Sequence, residues 1–200
     1  MPELRSIVAL VVTALAVMGS PGPSTVSITA VGGAFGVRRS IPYLWGLVIG
    51  TTAVLVAVAV GLTAALLSIP NVAVVLTTAS IVYIIYLAYR IATAPPLAEI
   101  DSAVTAPSLW GGVALGIANP KAYVAIAAVF AANRLSGDAT LDAIEKTIVL
   151  TALIVLIHVV WLLAGAVFAA LLRDPVRSRI VNVVLAIAVV VFSLLALLPH

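Results

Sequence analysis

Long apolar stretches and short polar punctuation alternate along this chain. Six stretches, at 7–34, 42–67, 72–93, 109–132, 147–172 and 180–198, are each near or above the ~20 residues that cross a bilayer as a helix. Charged residues fall almost wholly between them: Arg38 and Arg39, Arg90 to Asp101, Arg134 to Lys146, and Arg173 to Arg179. Trp45, Tyr86, Tyr89 and Trp110 stand toward stretch ends, where amphipathic rings favour the membrane interface. No segment alternates with the period of a strand, which disfavours a β-barrel. The pattern predicts an all-α integral membrane protein of six transmembrane helices.

The first stretch has a rival reading. Arg5, an apolar run to Val17 and small residues beyond it have the look of a secretory signal peptide. Apolar sequence resumes straight after Pro23, however, and a cleaved end there would sit in mid-membrane. The stretch is read as a span.

Composition removes the soluble alternatives. Of 200 residues, 64% are apolar and 8% charged, whereas a soluble domain is about one quarter charged. The net charge of +3 comes with no basic patch or interleaved aromatics, so no nucleic-acid partner is expected. The surplus is topogenic charge in loops, and the partner is the lipid bilayer. Cysteine is absent, which excludes a disulfide framework, thiol redox chemistry and Cys-ligated metal. All seven carboxylates lie outside the spans, so metal-assisted hydrolysis has no ligand cluster there. No metal and no cofactor are expected, and the chain is not read as an enzyme.

Basic residues sorted by loop set the orientation. With alternating spans, Arg38, Arg39, Arg90, Arg173, Arg177 and Arg179 share one side, against Arg5, Arg134 and Lys146 on the other. The larger group belongs in the cytoplasm, which puts both termini outside it in the plasma (inner) membrane.

The polar linker at 96–108 divides the chain into units 1–95 and 109–200, each with three spans. The first span of each unit is broken by proline, at Pro21-Gly22-Pro23 and at Asn119-Pro120. Because three is odd, tandem three-helix units must be inverted relative to one another. Inverted repeats with broken helices are a plan of secondary transporters, in which the breaks mark the substrate site.

Lys121 is the one fully charged side chain expected deep inside a span, away from its ends. It lies about twelve residues past Leu109, hence ~18 Å into the helix, where a cation costs ~3 kcal/mol on insertion scales. A hollow, an anion or a polar partner must offset that cost; the bland alternative is a span that starts later, with Lys121 at the interface. Asn119-Pro120-Lys121 reads as a helix restart, with Asn as N-cap and Pro at the first helical position. Free backbone N–H groups there, together with Lys121, suit a carboxylate. The other break, Ser20, Pro21, Gly22, Pro23, Ser24 and Thr25, offers hydroxyls and released backbone groups for an amino group; its bland reading is a proline kink. His158 shares a small, polar helix face with Thr151 and Gly165, and is read either as an interhelical hydrogen-bonder or as a proton-coupling group. Gly46, Gly50, Ala53, Ala57 and Gly61 form a small-residue ridge, and Gly112 and Gly116 a second. The ridges serve helix packing inside the chain or a homodimer contact.

These motifs together resemble the LysE/RhtB family of amino-acid exporters. The matching features are Pro21-Gly22-Pro23, the Gly-Val-Arg-Arg turn at 36–39, Gly46 with Gly50, and the Tyr-rich end of the third span at 83–90. Trp110-Gly-Gly and Asn119-Pro120-Lys121-Ala122 complete the set. The resemblance implies six spans and efflux of amino acids or close analogues, driven by the membrane potential or a proton gradient, with both proline motifs near the pathway. Members of that family commonly carry Asp after the second glycine of span two, where this chain has Thr51. Family-style coupling and a basic substrate both lose their carboxylate here, and a neutral amino acid suits Lys121 better. The rival functions are a non-transporting assembly subunit, with Lys121 an interhelical contact, and a membrane-embedded enzyme.

Overall fold

A computed structural model describes residues 2–62, 69–93, 106–170 and 175–195. The described residues form seven helices and no strand: α1 (Pro2–Met18), α2 (Pro23–Ala59), α3 (Val72–Ala92), α4 (Leu109–Ala118), α5 (Pro120–Ala132), α6 (Ala139–Ala170) and α7 (Pro175–Leu195). Pro23–Ala59 and Ala139–Phe168 are each long and apolar enough to cross a membrane. Leu109–Ala118 and Pro120–Ala132 make a third crossing if taken as one span bent by 60°. Leu4–Met18, Ile81–Ala92 and Arg179–Ala188 are shorter apolar helices. The end of the expected second span at 63–67, the linker up to 105 and the last residues of the sixth span lie outside the described residues.

At ~1.5 Å per residue, the 37 residues of α2 would run ~55 Å, well beyond a ~30 Å hydrocarbon core. Gly36 divides it. Its φ of 74° and ψ of 166° are accessible essentially only to glycine, and they turn one helix into the next without a loop. The Ser40 hydroxyl covers carbonyls at this joint, donating to Gly36 O at 2.6 Å and Val31 O at 3.2 Å. The turn expected at 36–39 is therefore one residue wide.

The expected loop from Arg134 to Lys146 is also shorter than its charges suggest. Asp138 caps α6, accepting from Leu141 N at 2.8 Å, so the helix starts at Ala139 rather than near 147. Lys146 is no loop cation: it is 4% exposed, bonded to Asp142 at 2.7 Å and to the Phe130 carbonyl at 2.8 Å. Local charge pairing one turn apart turned an apparent loop into helix.

The long α2 packs along both α4 and α6, α3 pairs with α7, and α1 lies against α5 and α6. Backbones approach closely where glycines meet. A Cβ on Gly50 would stand 2.6 Å from Val113 O and 3.0 Å from Gly116 Cα, and one on Gly116 2.9 Å from Gly50 Cα. Gly46 and Gly112 are likewise blocked by backbone, Gly46 by the Leu109 carbonyl and Gly112 by that of Tyr43. The rest of the ridge departs from expectation. Ala53 is exposed and Ala57 only half-buried. Gly61 lies past the end of α2 with a φ of +71°, a left-handed turn residue whose Cβ would meet nothing within 4 Å among the described residues.

The interior holds Tyr43, Leu47, Leu87, Ile91 and Leu115 in one cluster and Leu10, Leu55, Ile126, Leu150 and Ile154 in another. The outside is apolar as well: Val12, Val74, Ile85, Val160 and Val167 are all more than half exposed. Apolar surface of this extent belongs against acyl chains.

Candidate functional site

The site is built from the two helix breaks. α1 stops at Met18 and α2 starts at Pro23, because Pro21 and Pro23 donate no backbone hydrogen. The end of α1 and the break then hold carbonyls without helical partners, and several are met from elsewhere. The Ser20 hydroxyl donates to Val17 O at 2.8 Å, and the Trp161 indole of α6 to Gly19 O at 3.1 Å. The Lys121 ammonium meets two more and a hydroxyl, donating to Ser20 O at 2.5 Å, Ser20 Oγ at 2.8 Å and Pro21 O at 2.9 Å. A cation at the negative end of α1 is electrostatically favoured. Gly22 makes room for it. Its backbone is extended, which any residue adopts, but a Cβ there would stand 2.5 Å from Lys121 Cδ and 3.0 Å from Nζ.

The second break is capped by its own asparagine. Asn119 Oδ1 accepts from Lys121 N at 3.1 Å, and its carbonyl accepts from Ala122 N at 3.0 Å. Asn119 Nδ2 reaches across to Ser24 Oγ at 2.8 Å. The two breaks, far apart in sequence, are therefore bonded to one another directly.

Two expectations need correction at this point. The amides at the start of α5, expected to be free for an anion, are occupied by Asn119, and Pro120 has none. The hydroxyls expected to meet an amino group are engaged too: Ser20 by Lys121, Ser24 by Asn119, and Thr25 by Gly22 N at 2.9 Å. Short polar side chains beside a break serve its own backbone first.

Beside the breaks lies a cavity of about 40 Å³, lined by Met18, Gly22, Ser24, Thr25, Thr51, Asn119, Lys121, Ala122, Ala125, Ile126, Ile154, Ile157 and His158. Such a volume holds about three waters, and an amino acid needs it to widen. Lys121 borders a hollow rather than acyl chains alone. Two lining groups are buried with no partner among the described residues, Thr51 Oγ1 and His158 Nε2. His158 Nδ1 lies 2.7 Å from Ile154 O; a carbonyl only accepts, so Nδ1 carries a hydrogen, and in the neutral ring Nε2 holds the lone pair. The rest of the His158 face packs on α2, where Gly165 abuts the Thr29 carbonyl and the Thr29 hydroxyl donates to Trp161 O at 3.2 Å.

Thr51 entered the sequence reading only as a missing carboxylate, and Trp161 not at all. The Thr51 signal was its place one residue after Gly50 on a ridge that packs tightly. Trp161 lies one turn from His158 on α6, so its face was legible even though its partner was not. No group of three or more His, Asp or Glu capable of holding a metal occurs among the described residues.

An apolar exterior, broken helices and a cation held beside a polar hollow define a multi-pass helical membrane transporter. The chain belongs to the LysE type translocator family, whose model matches residues 15–199. It is similar to the cysteine/O-acetylserine efflux proteins of Escherichia coli O1:K1 / APEC, strain 536 / UPEC and strain UTI89 / UPEC. Each is 32% identical over 174 residues, covering 86% of this chain and 87% of the relative. No solved structure matches the chain significantly. The protein is an amino-acid exporter of this family and not an enzyme.

Proposed function

We propose that the chain exports a small neutral amino acid or similar carboxylate solute by alternating access between two inverted three-helix repeats. In this reading α1 with 23–35 is the first span, 37–59 the second and α3 the third. The bent pair α4–α5, then α6 and α7, repeat that order in the second unit. The observation that carries the reading is the meeting of the two breaks through Lys121 and Asn119. Corresponding breaks in contact are what an inverted-repeat transporter places around its substrate.

Lys121 works by exchange. With no substrate its three protons close the first break, on Ser20 and Pro21. An arriving carboxylate takes over those protons in a charge-assisted contact, stronger than the carbonyl bonds it replaces. Freed carbonyls let the 19–22 segment move, with Pro21, Gly22 and Pro23 keeping it from closing into helix. Binding and gating thus share one side chain. The relatives are named for cysteine and O-acetylserine, both neutral zwitterions, which supports that substrate class here. No carboxylate lines the cavity to hold the side-chain cation of lysine or arginine. His158 is the proton-coupling group of the scheme.

Orientation follows the arginines, with 36–39 cytoplasmic and both termini outside. Burial of Lys146 takes it out of the opposing group and leaves Arg5 and Arg134, which strengthens the asymmetry. Gly46 and Gly50 are spent on α4, so no homodimer is proposed on that ridge.

Counterflow of a panel of radiolabelled amino acids in proteoliposomes tests the proposal. A neutral amino acid should exchange in the wild type and fail in Lys121→Ala, with size-exclusion behaviour unchanged. Equal flux in that variant would contradict the carboxylate site and favour an interhelical role for Lys121.

A further inference from the structure

The proposed function gives the substrate carboxylate a place and leaves the amino group without one. Every hydroxyl at the first break already accepts a hydrogen bond, Ser20 from Lys121, Ser24 from Asn119 and Thr25 from Gly22 N. Two polar atoms lining the cavity have no partner among the described residues: a lone pair, His158 Nε2, and a hydroxyl, Thr51 Oγ1. Both residues are deeply buried, at 4% and 6% exposure, so neither atom is left open by facing bulk water. A buried acceptor without a donor is costly and calls for a ligand or a role.

The chemistry of that ligand follows from the tautomer. With the Nδ1 hydrogen committed to the Ile154 carbonyl, Nε2 takes a donor and offers none. The cavity thus sets a cationic donor from α5 against an acceptor from α6 and a hydroxyl from α2. That is the complement of a zwitterion: Lys121 alone would serve a plain carboxylate, and the acceptors facing the same cavity add a place for an ammonium. We infer that His158 Nε2 together with Thr51 Oγ1 is the ammonium subsite of the transported amino acid. The inference rests on the export reading and adds the second half of the recognition.

A consequence concerns coupling. The lone pair holds either a proton or a hydrogen donated by substrate, and never both. Lys121 is the other titratable group lining the cavity; the lining residues of α1 and α2 carry none. Protonated His158 offers only donors and repels an ammonium, so proton and substrate exclude each other. Exclusive binding at one site that faces each side in turn is an exchange mechanism, with a proton entering as substrate leaves.

The test is competition against counterflow of labelled O-acetyl-L-serine, or of whichever panel amino acid the wild type carries best. The competitors are that amino acid and its des-amino analogue, 3-acetoxypropanoate for O-acetylserine. The wild type should prefer the amino compound by about tenfold or more. His158→Leu, apolar and suited to burial, should bring the two within about twofold, and Thr51→Val should lower the preference by about threefold. His158→Gln keeps an acceptor and should keep the preference, while losing the fall in apparent affinity at acid pH that the exchange mechanism predicts for the wild type. Unchanged preference in His158→Leu and Thr51→Val overturns the subsite while leaving export intact. No counterflow of any amino acid by the wild type overturns export and this inference with it. Should His158→Leu fail to purify as a single species, the other two variants decide. Unchanged preference in Thr51→Val with an unchanged pH response in His158→Gln then overturns the proposal.

Discussion

Lys121 and Gly22 act as a unit at the residue scale, since the lysine reaches its three acceptors only where the glycine has no Cβ. Gly22→Ala, whose backbone suits either residue, should therefore reproduce much of the Lys121→Ala transport defect. Counterflow is expected to fall by about tenfold or more, in line with losing a charge-assisted contact. A variant that transports normally would mean that the ammonium has another seat. Lys121→Arg tests geometry rather than charge: the planar fork is bulkier than the ammonium and spreads its donors in one rigid plane instead of around a single nitrogen. Transport at or below one tenth of wild type is expected from flux assays, with the protein still folded. Thr51→Asp places a carboxylate in the same cavity, and should make lysine a competitor of the counterflow where wild type ignores it.

Among the elements, the α2–α4 contact and the start of α6 carry the stability arguments. Gly116→Leu would force α4 off the Gly50 backbone, and overpacking of this kind costs about 1–3 kcal/mol. Thermal unfolding in detergent should show the loss; Gly61→Ala meets no neighbour among the described residues and should cost about 1–2 kcal/mol from its left-handed backbone alone. Asp142→Asn strands a buried Lys146 and should cost about 3 kcal/mol. The helices themselves were legible because apolar runs and prolines are local signals. Helix ends were less so. A charge pair at Asp142 and Lys146 is loop-like in composition yet helical in spacing, and one glycine at 36 replaced a whole turn. The breaks were readable from Pro21, Pro23 and Pro120. That their polar groups would satisfy one another was not, since Asn119 and Ser24 meet only through the tertiary fold.

The topology of the whole molecule is open to cysteine labelling, because the chain has no native cysteine. Gly137→Cys lies in open space on the short segment before α6. A membrane-impermeant maleimide should label it from the periplasmic side in intact cells. Val37→Cys, at the joint within α2, should react only after permeabilisation. The reverse result would invert the orientation while leaving the two breaks and their contact as they are. Composition and hydropathy made the membrane class readable at this scale, and the motif set made the family readable. The closeness of the cavity to Thr51 and His158 came from α2 and α6 packing side by side, which no local pattern encodes.

The central claim is that the two helix breaks meet to hold the solute, with Lys121 passing from backbone carbonyls to a substrate carboxylate. An experimental structure with O-acetyl-L-serine or another transported amino acid bound examines this most directly. The ligand carboxylate is expected within hydrogen-bond distance of Lys121 Nζ, with the bonds to Ser20 and Pro21 loosened. Ligand density away from this cavity, with Lys121 still closed on the first break, would contradict that result.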